Sequence, residues 1–258
     1  MRLYVILGDP VRQVKLPELF NERARQLGLD WMMVMARCSA DDLGDVMGGL
    51  HESESVGGVV VTVPHKVSAA RLCDTLTPTA AACGSVNVAR RGLAGWHGHN
   101  VDGLGFFAGL SAHHEIPQHA RVDVIGGGGA GVSIAAAFLS QGATVRVAET
   151  SADRRHEIAD LLQGVSSEVE IVESVDNAHR DLIVNATANG MNVADPLPLD
   201  LDAHEIDPRT IVADIIMEPA QTLWLDQAER LSLRTHQGRH MLEGQLNPMF
   251  DFLRTGSP

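Results

Sequence analysis

Short apolar runs alternate with longer amphipathic stretches along the chain. In the first hundred residues, the apolar runs at 2–8, 31–38 and 57–63 predict buried strands. The amphipathic stretches at 17–28 and 40–51 predict helices, the first with Pro17 in its first turn and the second capped by Ser39. This strand–helix–strand order predicts an α/β fold with a parallel sheet and right-handed crossovers.

The alternation continues to the end of the chain. Shorter helices are predicted at 64–73, 79–83 and 104–113, and a strand pair at 84–89 and 93–98. After residue 121, strands are predicted at 122–125, 143–148, 169–172, 181–185 and 211–216, and helices at 132–139, 152–163, 220–231 and 241–253. We therefore expect a first domain of roughly 100 residues, 1–101, followed by a second α/β domain at 102–239.

The glycine-rich segment at 122–131 (Val-Asp-Val-Ile-Gly-Gly-Gly-Gly-Ala-Gly) follows a predicted strand and opens a predicted helix. Gly126 permits a tight turn, Gly128 lets the backbone approach a pyrophosphate, and Gly131 lets helix and strand pack closely. This context predicts a dinucleotide-binding loop, as in Rossmann-type domains. The loop residues expected to contact the cofactor are Gly126, Gly127, Gly128, Gly129, Ala130 and Gly131.

Glu149 and Thr150 follow the next predicted strand. A carboxylate at that position accepts hydrogen bonds from the adenosine ribose and repels a 2′-phosphate. NAD is therefore predicted in preference to NADP. Arg154 and Arg155 lie about one helical turn further on; they either soften this preference or belong to a solvated helix face.

The amino-acid composition and net charge argue against two classes of partner, nucleic acids and membranes. The chain has 258 residues, of which 45% are hydrophobic and 21% charged, with a net charge of −13. This acidic balance, without a basic stretch, argues against nucleic-acid binding. No apolar run approaches the ~20 residues of a membrane span, and no signal peptide precedes the first strand. We expect a cytoplasmic protein with no membrane partner.

Cysteines and histidines give no metal signature by spacing. The three cysteines, Cys38, Cys73 and Cys83, lack metal-ligand spacing and are expected to be reduced. Two histidine pairs, at 97/99 and 113/114, lack acidic or cysteine partners at helical spacing. No metal site is predicted.

Two charged residues carry candidate chemistry. Lys66 follows a predicted strand end and Asp102 stands at a predicted helix start. A lysine ammonium can donate a proton to a carbonyl oxygen as hydride arrives, and a carboxylate can hold and polarise the lysine. From spacing alone, a structural salt bridge is the competing interpretation.

Five segments, in order, resemble the shikimate/quinate dehydrogenase family over nearly the whole chain. They lie at 61–66 (Val-Thr-Val-Pro-His-Lys), 84–87 (Gly-Ser-Val-Asn), 100–103 (Asn-Val-Asp-Gly), 185–191 (Asn-Ala-Thr-Ala-Asn-Gly-Met) and 238–245, which carries Gly238, Met241 and Gln245. The resemblance implies a substrate domain, completed by a C-terminal helix at 240–258, and a Rossmann-type domain.

The same resemblance implies roles for individual residues. Lys66 would be the catalytic acid/base with Asp102 as its partner. The residues expected to bind substrate hydroxyls are Thr62, Asn87 and Gln245. The residues expected beside the cofactor, in addition to the glycine-rich loop, are Asn185, Ala186, Thr187, Ile215, Gly238 and Met241.

The chain departs from the family where substrate is bound. The family turn G-x-P-V-x-x-S-x-S-P carries two serines that bind a carboxylate, and Val14 and Leu16 replace them. Burying a carboxylate without donors costs several kcal/mol. Further departures are Val60 for an asparagine, Met217 for a substrate-contacting tyrosine and His240 for a glycine.

We therefore expect an NAD(P)-dependent dehydrogenase, of aromatic amino acid biosynthesis or quinate metabolism. It would act on a shikimate- or quinate-like cyclic alcohol or ketone whose carboxylate is altered or missing. One alternative is a genuine shikimate dehydrogenase that binds the carboxylate through Lys15 or Arg12. Another is a non-catalytic NAD-binding regulatory protein. The expected partners are the small-molecule substrate and, as an open alternative, a second copy of the chain.

Overall fold

The computed structural model describes residues 1–11, 14–175 and 179–255, and it divides into two compact units. The first unit comprises Met1–Val101 and the chain from Gln245 onward, and the second comprises Asp102–Gly244. The return to the first unit, predicted at residue 240, lies at Gln245. The preceding residue, Gly244, packs so closely on Gly105 that a Cβ there would overlap the Gly105 carbonyl oxygen.

The first unit is a mixed α/β sheet structure. Its strands are β1 (Arg2–Gly8), β2 (Trp31–Arg37), β3 (Val56–Val61), β4 (Thr75–Leu76), β5 (Val88–Arg91) and β6 (Trp96–His99). Its helices are α1 (Leu16–Gln26), α2 (Leu43–Glu52), α3 (Lys66–Leu72) and α4 (Pro78–Cys83). The described strands stand in the order β2-β1-β3-β5-β6-β4. The predicted parallel arrangement holds for β1, β2 and β3, whereas β5 is antiparallel to both β3 and β6.

Helix α2 begins three residues later than predicted. The Ser39 hydroxyl accepts a hydrogen bond from the Asp42 backbone N–H (3.2 Å) and donates one to the Asp42 carboxylate (2.6 Å). These contacts close a turn before the helix, so that Asp42 rather than Ser39 is the N-cap residue. The buried face of α2, Leu43 and Met47, then packs into the core beneath β1 and β3.

The second unit is a parallel sheet with helices. Its helices are α5 (Asp102–Ser111), α6 (Gly129–Ser140), α7 (Ala152–Gln163), α8 (Leu223–Arg230) and the start of α9 (Arg239–Arg254), with a 3₁₀ turn at Leu201–Ala203. Its strands are β7 (Arg121–Ile125), β8 (Thr144–Ala148), β9 (Val169–Val172), β10 (Leu182–Asn185), β11 (Ile211–Asp214) and β12 (Arg234–His236).

The strand order of the second unit is β12-β11-β10-β7-β8-β9, with every pairing between described strands parallel. Numbered within the unit, this is the 6-5-4-1-2-3 order of a doubly wound Rossmann sheet. The chain reverses direction across the sheet between β7 and β10, and ligands of such sheets bind outside the carboxyl ends of the strands at that point. The predicted Rossmann-type domain is confirmed.

Helix α9 completes the hydrophobic core of the first unit. Phe250 stacks on Phe20 with ring centroids 4.5 Å apart and on Trp31 at 5.5 Å, and Tyr4 contacts the same two rings. Phe250 is 2% exposed. The C-terminal residues are therefore an integral part of the first unit.

Length and apolar character together decide whether a helix can span a membrane. Even α9, the longest described helix at 16 residues, begins and ends with arginine. In the part of the chain that the structure describes, no helix has both the length and the apolar character to cross a bilayer.

Candidate functional site

The carboxyl ends of β1, β2 and β3 converge in the first unit. The Thr62 N–H donates to the Leu7 carbonyl (2.9 Å), and the Cys38 N–H donates to the Gly8 carbonyl (3.2 Å). A Cβ on Gly8 would overlap the Thr62 methyl group, so only glycine fits there. Thr62, a predicted hydroxyl-binding residue, is half-buried at this junction.

Lys66 is the first residue of α3, directly beyond this junction. Its neighbour His65 is 1% exposed, and His65 Nε2 lies 2.7 Å from the Cys38 carbonyl oxygen. The Lys66 carbonyl accepts a hydrogen bond from the Val86 N–H (2.9 Å). The backbone on both sides of the lysine is therefore anchored, which is what a positioned acid/base residue needs.

Asn87 lies next to the same junction. Its carbonyl accepts from the Val61 N–H (2.8 Å), and its buried side chain accepts through Oδ1 from the Val101 N–H (2.9 Å). Asn100 Nδ2 donates to Ser85 Oγ (2.9 Å), which ties the segment at 84–87 to the end of β6. Backbone pairing thus brings the segments of Thr62, Lys66 and Asn87 together. Gln245 is 7% exposed on α9 of the same unit.

The turn before α1 carries the residues predicted to replace the carboxylate-binding serines. Leu16 is 3% exposed and begins α1, so its side chain belongs to the core. Val14 is half-buried, and its N–H donates to the Val11 carbonyl (3.2 Å). Lys15 is exposed at the helix N-cap. Arg12, the other candidate cation, lies outside the described residues.

Asp102, the predicted partner of Lys66, is 1% exposed in the second unit. It is the first residue of α5, and the following Gly103 N–H donates to Ser133 Oγ (2.8 Å). A Cβ on Gly103 would overlap the Ser133 carbonyl oxygen of α6. Close packing of α5 on α6 therefore fixes the backbone that presents Asp102.

The glycine-rich loop follows β7 as predicted. Gly126 has φ of 107°, a conformation that favours glycine, and a Cβ on Gly131 would overlap the Gly126 carbonyl oxygen. Around Gly128, by contrast, nothing lies within 4 Å of where a Cβ would be. Helix α6 begins at Gly129, and its first N–H groups lack intrahelical partners, as at every helix start. This cradle fits a pyrophosphate.

Glu149 lies beside this loop at the end of β8. Its two carboxylate oxygens accept hydrogen bonds from the Gly127 N–H (3.1 Å) and the Ser151 N–H (2.9 Å). Arg154 Nε donates to the Gly127 carbonyl (2.9 Å), and its guanidinium also pairs with Glu157 at 2.8 Å. Arg155 donates to the carbonyls of Glu149 and Thr150. Both arginines are thus near the loop but already engaged.

The segment at 185–190 faces the glycine-rich loop within the second unit. The Ala186 N–H donates to the Ile125 carbonyl (2.8 Å), and a Cβ on Gly126 would lie 2.7 Å from the Thr187 methyl group. Asn185 Oδ1 accepts from Thr187 Oγ1 (2.7 Å), and its Nδ2 donates to the Asp214 carboxylate (3.1 Å). Burial raises the pKa of Asp214, while its hydrogen bonds act in the opposite direction. The loop is held in shape by this buried network.

The remaining predicted cofactor residues meet at the end of β11. A Cβ on Gly238 would lie 2.6 Å from the Ile215 carbonyl oxygen, and the Met241 N–H donates to the Gly238 carbonyl (3.1 Å). Met217 is half-buried just beyond Ile215. Close backbone contact explains why position 238 requires glycine.

Sequence spacing missed one cluster of chemistry-bearing residues. His113, His236 and His240 converge in the second unit, with one ring nitrogen of each within 4.8 Å of the others. They come from the end of α5, the end of β12 and the start of α9. Their proximity depends on the tertiary fold, and the pairing of His236 with His240 four residues later was the one signal in the sequence.

Comparisons with known proteins cover both units. Residues 6–89 match the family model for the shikimate dehydrogenase substrate binding domain, and residues 104–216 match that for the alanine dehydrogenase/PNT C-terminal domain. Over 254 residues the chain is 32% identical to a curated shikimate dehydrogenase (NADP(+)) of Geobacter metallireducens, covering 95% of this chain and 88% of the relative.

Solved structures agree with the sequence comparison. Shikimate dehydrogenase from Aquifex aeolicus superposes with a TM-score of 0.87 at 26% identity, covering 100% of this chain and 94% of that one. The 5-ketofructose reductase of Gluconobacter sp. strain CHM43 superposes with a TM-score of 0.83, also at 26% identity, covering 98% and 92%. The chain therefore belongs to the shikimate dehydrogenase family, and it is an oxidoreductase that acts on a hydroxyl group.

Proposed function

We propose that this chain transfers hydride between a nicotinamide dinucleotide and a hydroxyl or ketone of a shikimate- or quinate-like cyclic substrate whose carboxylate is altered or missing. The observation that carries this proposal is the combination of a retained Lys66 with an apolar turn at Val14 and Leu16. The acid/base residue is present, whereas the family's carboxylate donors are absent.

In the proposed reaction, the Lys66 ammonium donates a proton to the ketone oxygen during reduction and accepts it from the hydroxyl during oxidation. The bound nicotinamide supplies or accepts the hydride. Asp102 is the carboxylate that the family resemblance pairs with Lys66, and Thr62, Asn87 and Gln245 are the proposed hydroxyl ligands. A regulatory NAD-binding protein would need neither Lys66 nor Asp102, which is why an enzyme is favoured.

The apolar turn supports a substrate without the usual carboxylate. Leu16 is nearly inaccessible, and neither Leu16 nor Val14 has a side-chain donor. A carboxylate held against such side chains would lose several kcal/mol of solvation without replacement. The 5-ketofructose reductase, a relative in fold at 26% identity, is named for a sugar ketone rather than a carboxylic acid.

A genuine shikimate dehydrogenase is the second candidate. It is favoured by the curated relatives, which carry that name. In that case a cation must replace the two serines, and Lys15 is exposed at the start of α1. Lys15 therefore becomes the residue that separates the two candidates.

For the cofactor, the local geometry and the relatives point in different directions. The curated relatives are NADP(+) enzymes, which disfavours the NAD preference predicted from the sequence. We retain NAD in the proposal for this chain because Glu149 places a carboxylate beside Gly127, where a 2′-phosphate would be repelled. The nearest guanidinium groups, those of Arg154 and Arg155, already bind other groups.

The test is a substrate and cofactor panel measured on three proteins. Reduction of NAD and of NADP would be followed with shikimate, quinate and carboxylate-free cyclic polyols. The proteins are the wild type, Lys66→Ala and Lys15→Ala. These are the two lysines of the chain, so each variant is the charge-matched control of the other.

The proposal predicts NAD-dependent turnover of a cyclic alcohol without a carboxylate. Lys66→Ala should lower kcat by at least 10²-fold while NAD binding is kept, because general acid/base catalysis contributes about 10²–10⁴-fold. Lys15→Ala should leave this turnover unchanged. Efficient shikimate turnover whose KM rises in Lys15→Ala would establish the second candidate. NAD binding without any Lys66-dependent turnover would establish the regulatory alternative.

A further inference from the structure

Three histidines of the second unit form a compact cluster apart from the residues with proposed catalytic roles. His113 lies just beyond the end of α5, His236 is the last residue of β12, and His240 is the second residue of α9. The ring centroids of His113 and His240 are 3.9 Å apart, and those of His236 and His240 are 4.8 Å apart.

The cluster contains buried ring nitrogens without hydrogen bonds. His236 is 2% exposed, and among the described protein atoms neither of its ring nitrogens has a hydrogen-bond partner. His240 Nδ1 is also buried without one; Glu243 Oε2 lies 3.6 Å away, beyond hydrogen-bonding distance. A buried polar group without a partner is costly. A neutral imidazole carries one N–H and one lone pair, so whichever tautomer His236 adopts, it holds a buried lone pair that a ligand can take.

The third ring is oriented by a hydrogen bond. His113 Nδ1 lies 2.9 Å from the Gly109 carbonyl oxygen, so Nδ1–H donates to that carbonyl. This assigns the lone pair to Nε2. Metal-binding histidines are commonly oriented in this way, by donating their other N–H to a carbonyl or carboxylate. His113 is exposed, which leaves a path for an ion from solvent.

We propose that His113, His236 and His240 bind a divalent transition-metal ion, with Zn²⁺ as the best chemical fit. Three imidazoles suit Zn²⁺, Ni²⁺ or Cu²⁺, whereas Mg²⁺ and Ca²⁺ select oxygen ligands. Zinc–nitrogen bonds of about 2.0–2.1 Å place tetrahedral ligand atoms about 3.4 Å apart. In the structure one ring nitrogen of each histidine lies within 4.8 Å of the others, so metal binding requires the three rings to move closer together.

The ion would link three elements, α5, β12 and α9, of which α5 and α9 already pack closely against each other. A Cβ on Gly109 of α5 would overlap the His240 carbonyl oxygen at the start of α9. The connection between β12 and α9 also contains Gly238, a proposed cofactor residue. Bound metal would therefore stiffen this connection, a structural role that is independent of the proposed catalytic activity. His240 is also one of the departures from the family pattern, which has glycine there.

The experiment is a metal titration of the tag-free chain of 258 residues after chelator treatment. Zn²⁺ binding would be measured by calorimetry, Co²⁺ binding by visible absorption, and thermal unfolding with and without Zn²⁺. The proteins are the wild type, His113→Ala and His156→Ala. His156 is the matched control because it too is exposed and its Nδ1 lies 2.9 Å from the carbonyl four residues earlier, at Ala152.

The proposal predicts one Zn²⁺ or Co²⁺ per chain and a rise in Tm with Zn²⁺. Affinity should fall at least 10-fold in His113→Ala and stay unchanged in His156→Ala. Because His113 is exposed, its replacement should leave the metal-free Tm near that of the wild type. Absence of binding at one equivalent, or equal affinity in wild type and His113→Ala, would show that the rings only pack against one another.

Discussion

The turn that contains Val14 and Leu16 is where, in our proposal, single side chains decide the substrate. We predict that the double change Val14→Ser with Leu16→Ser raises kcat/KM for shikimate by at least about 10-fold. Hydrogen bonds to charged groups contribute about 1.5–3 kcal/mol, and about 1.4 kcal/mol is a tenfold change. Steady-state kinetics with shikimate measures the effect.

The matched control for this change is Val14→Ala with Leu16→Ala. It removes the same apolar bulk, including the buried Leu16 side chain, without adding donors. Both double variants should lose similar stability. An equal response of the two to shikimate would mean that space rather than hydrogen bonding limits the wild type.

Glu149 is the residue on which we propose that the choice between NAD and NADP depends. Glu149→Gln should shift the ratio of kcat/KM for NADP over NAD by at least about 10-fold towards NADP, because it removes the charge that would face the 2′-phosphate. Glu170→Gln, at the exposed position of strand β9, removes the same charge farther along the sheet and should leave the ratio unchanged. An unchanged ratio in Glu149→Gln would refute the NAD proposal.

Candidate site residues that lie within short motifs in the expected order can be predicted from the sequence. Residues that only the tertiary fold brings together cannot. Lys66, Asn87 and Gln245 each stand in a segment that resembles the family, so their candidate roles needed no coordinates. The histidine cluster was invisible because the unpaired state of His236 arises from burial on β12. No local pattern encodes that burial.

At the scale of elements, two positions of the glycine-rich loop are expected to affect different properties. Gly131 is needed for packing, and Gly128 leaves space for the cofactor. Gly131→Ala should destabilise the protein by roughly 1–3 kcal/mol, because its Cβ would overlap the backbone of Gly126. Gly128→Ala should change stability by less than about 0.5 kcal/mol, since open space surrounds that position. Denaturant unfolding measures both values.

The same two variants should rank in the opposite order for cofactor binding, with Gly128→Ala weakening NAD binding more than Gly131→Ala. In Gly128→Ala the new methyl group occupies the space where the pyrophosphate would approach, so the Kd for NAD should rise at least about 10-fold. Calorimetric titration with NAD measures this. Wild-type affinity in Gly128→Ala would place the pyrophosphate elsewhere.

Helix α9 stabilises the first unit through one aromatic side chain. Phe250→Ala should cost about 3–5 kcal/mol, because a fully buried ring between Phe20 and Trp31 leaves a cavity. Phe252→Ala is the control: this ring is half-buried and contacts His99 and Arg90, so we expect less than half of that loss. Equal losses would contradict the cluster as the main anchor of α9.

The accuracy of the predicted elements followed the strength of their periodic pattern. Helix α7 and strand β9 match their predicted ranges, whereas β12 was not predicted at all. Strand β12 has three residues, all of them polar, and is set by parallel pairing with β11. Pairing with a distant segment decides such a strand, and alternation over three residues cannot reveal it.

At the scale of the whole molecule, one unit is built from a single segment of the chain and the other from two segments. The second is one stretch, Asp102–Gly244, whereas the first needs Met1–Val101 and the chain from Gln245 onward. We predict that a fragment of residues 102–244 unfolds cooperatively on its own and that a fragment of residues 1–101 does not. Circular dichroism with thermal melting measures both. Fusion of residues 245–258 to 1–101 through a flexible linker should restore a cooperative transition; failure of this rescue would contradict the prediction.

The divided first unit also sets an order of events on the ribosome. Domains generally fold from the N-terminus as they emerge, at about 5–20 residues per second. Here the first unit waits while roughly 140 further residues are synthesised, which takes about 7 to 28 s at these rates. During this interval the aromatic surface around Phe20 and Trp31 lacks Phe250, its last covering group. The first hundred residues are therefore the part of the nascent chain that is most prone to aggregation and most dependent on chaperones. The second unit, although its synthesis begins later, completes its folding before the first unit does.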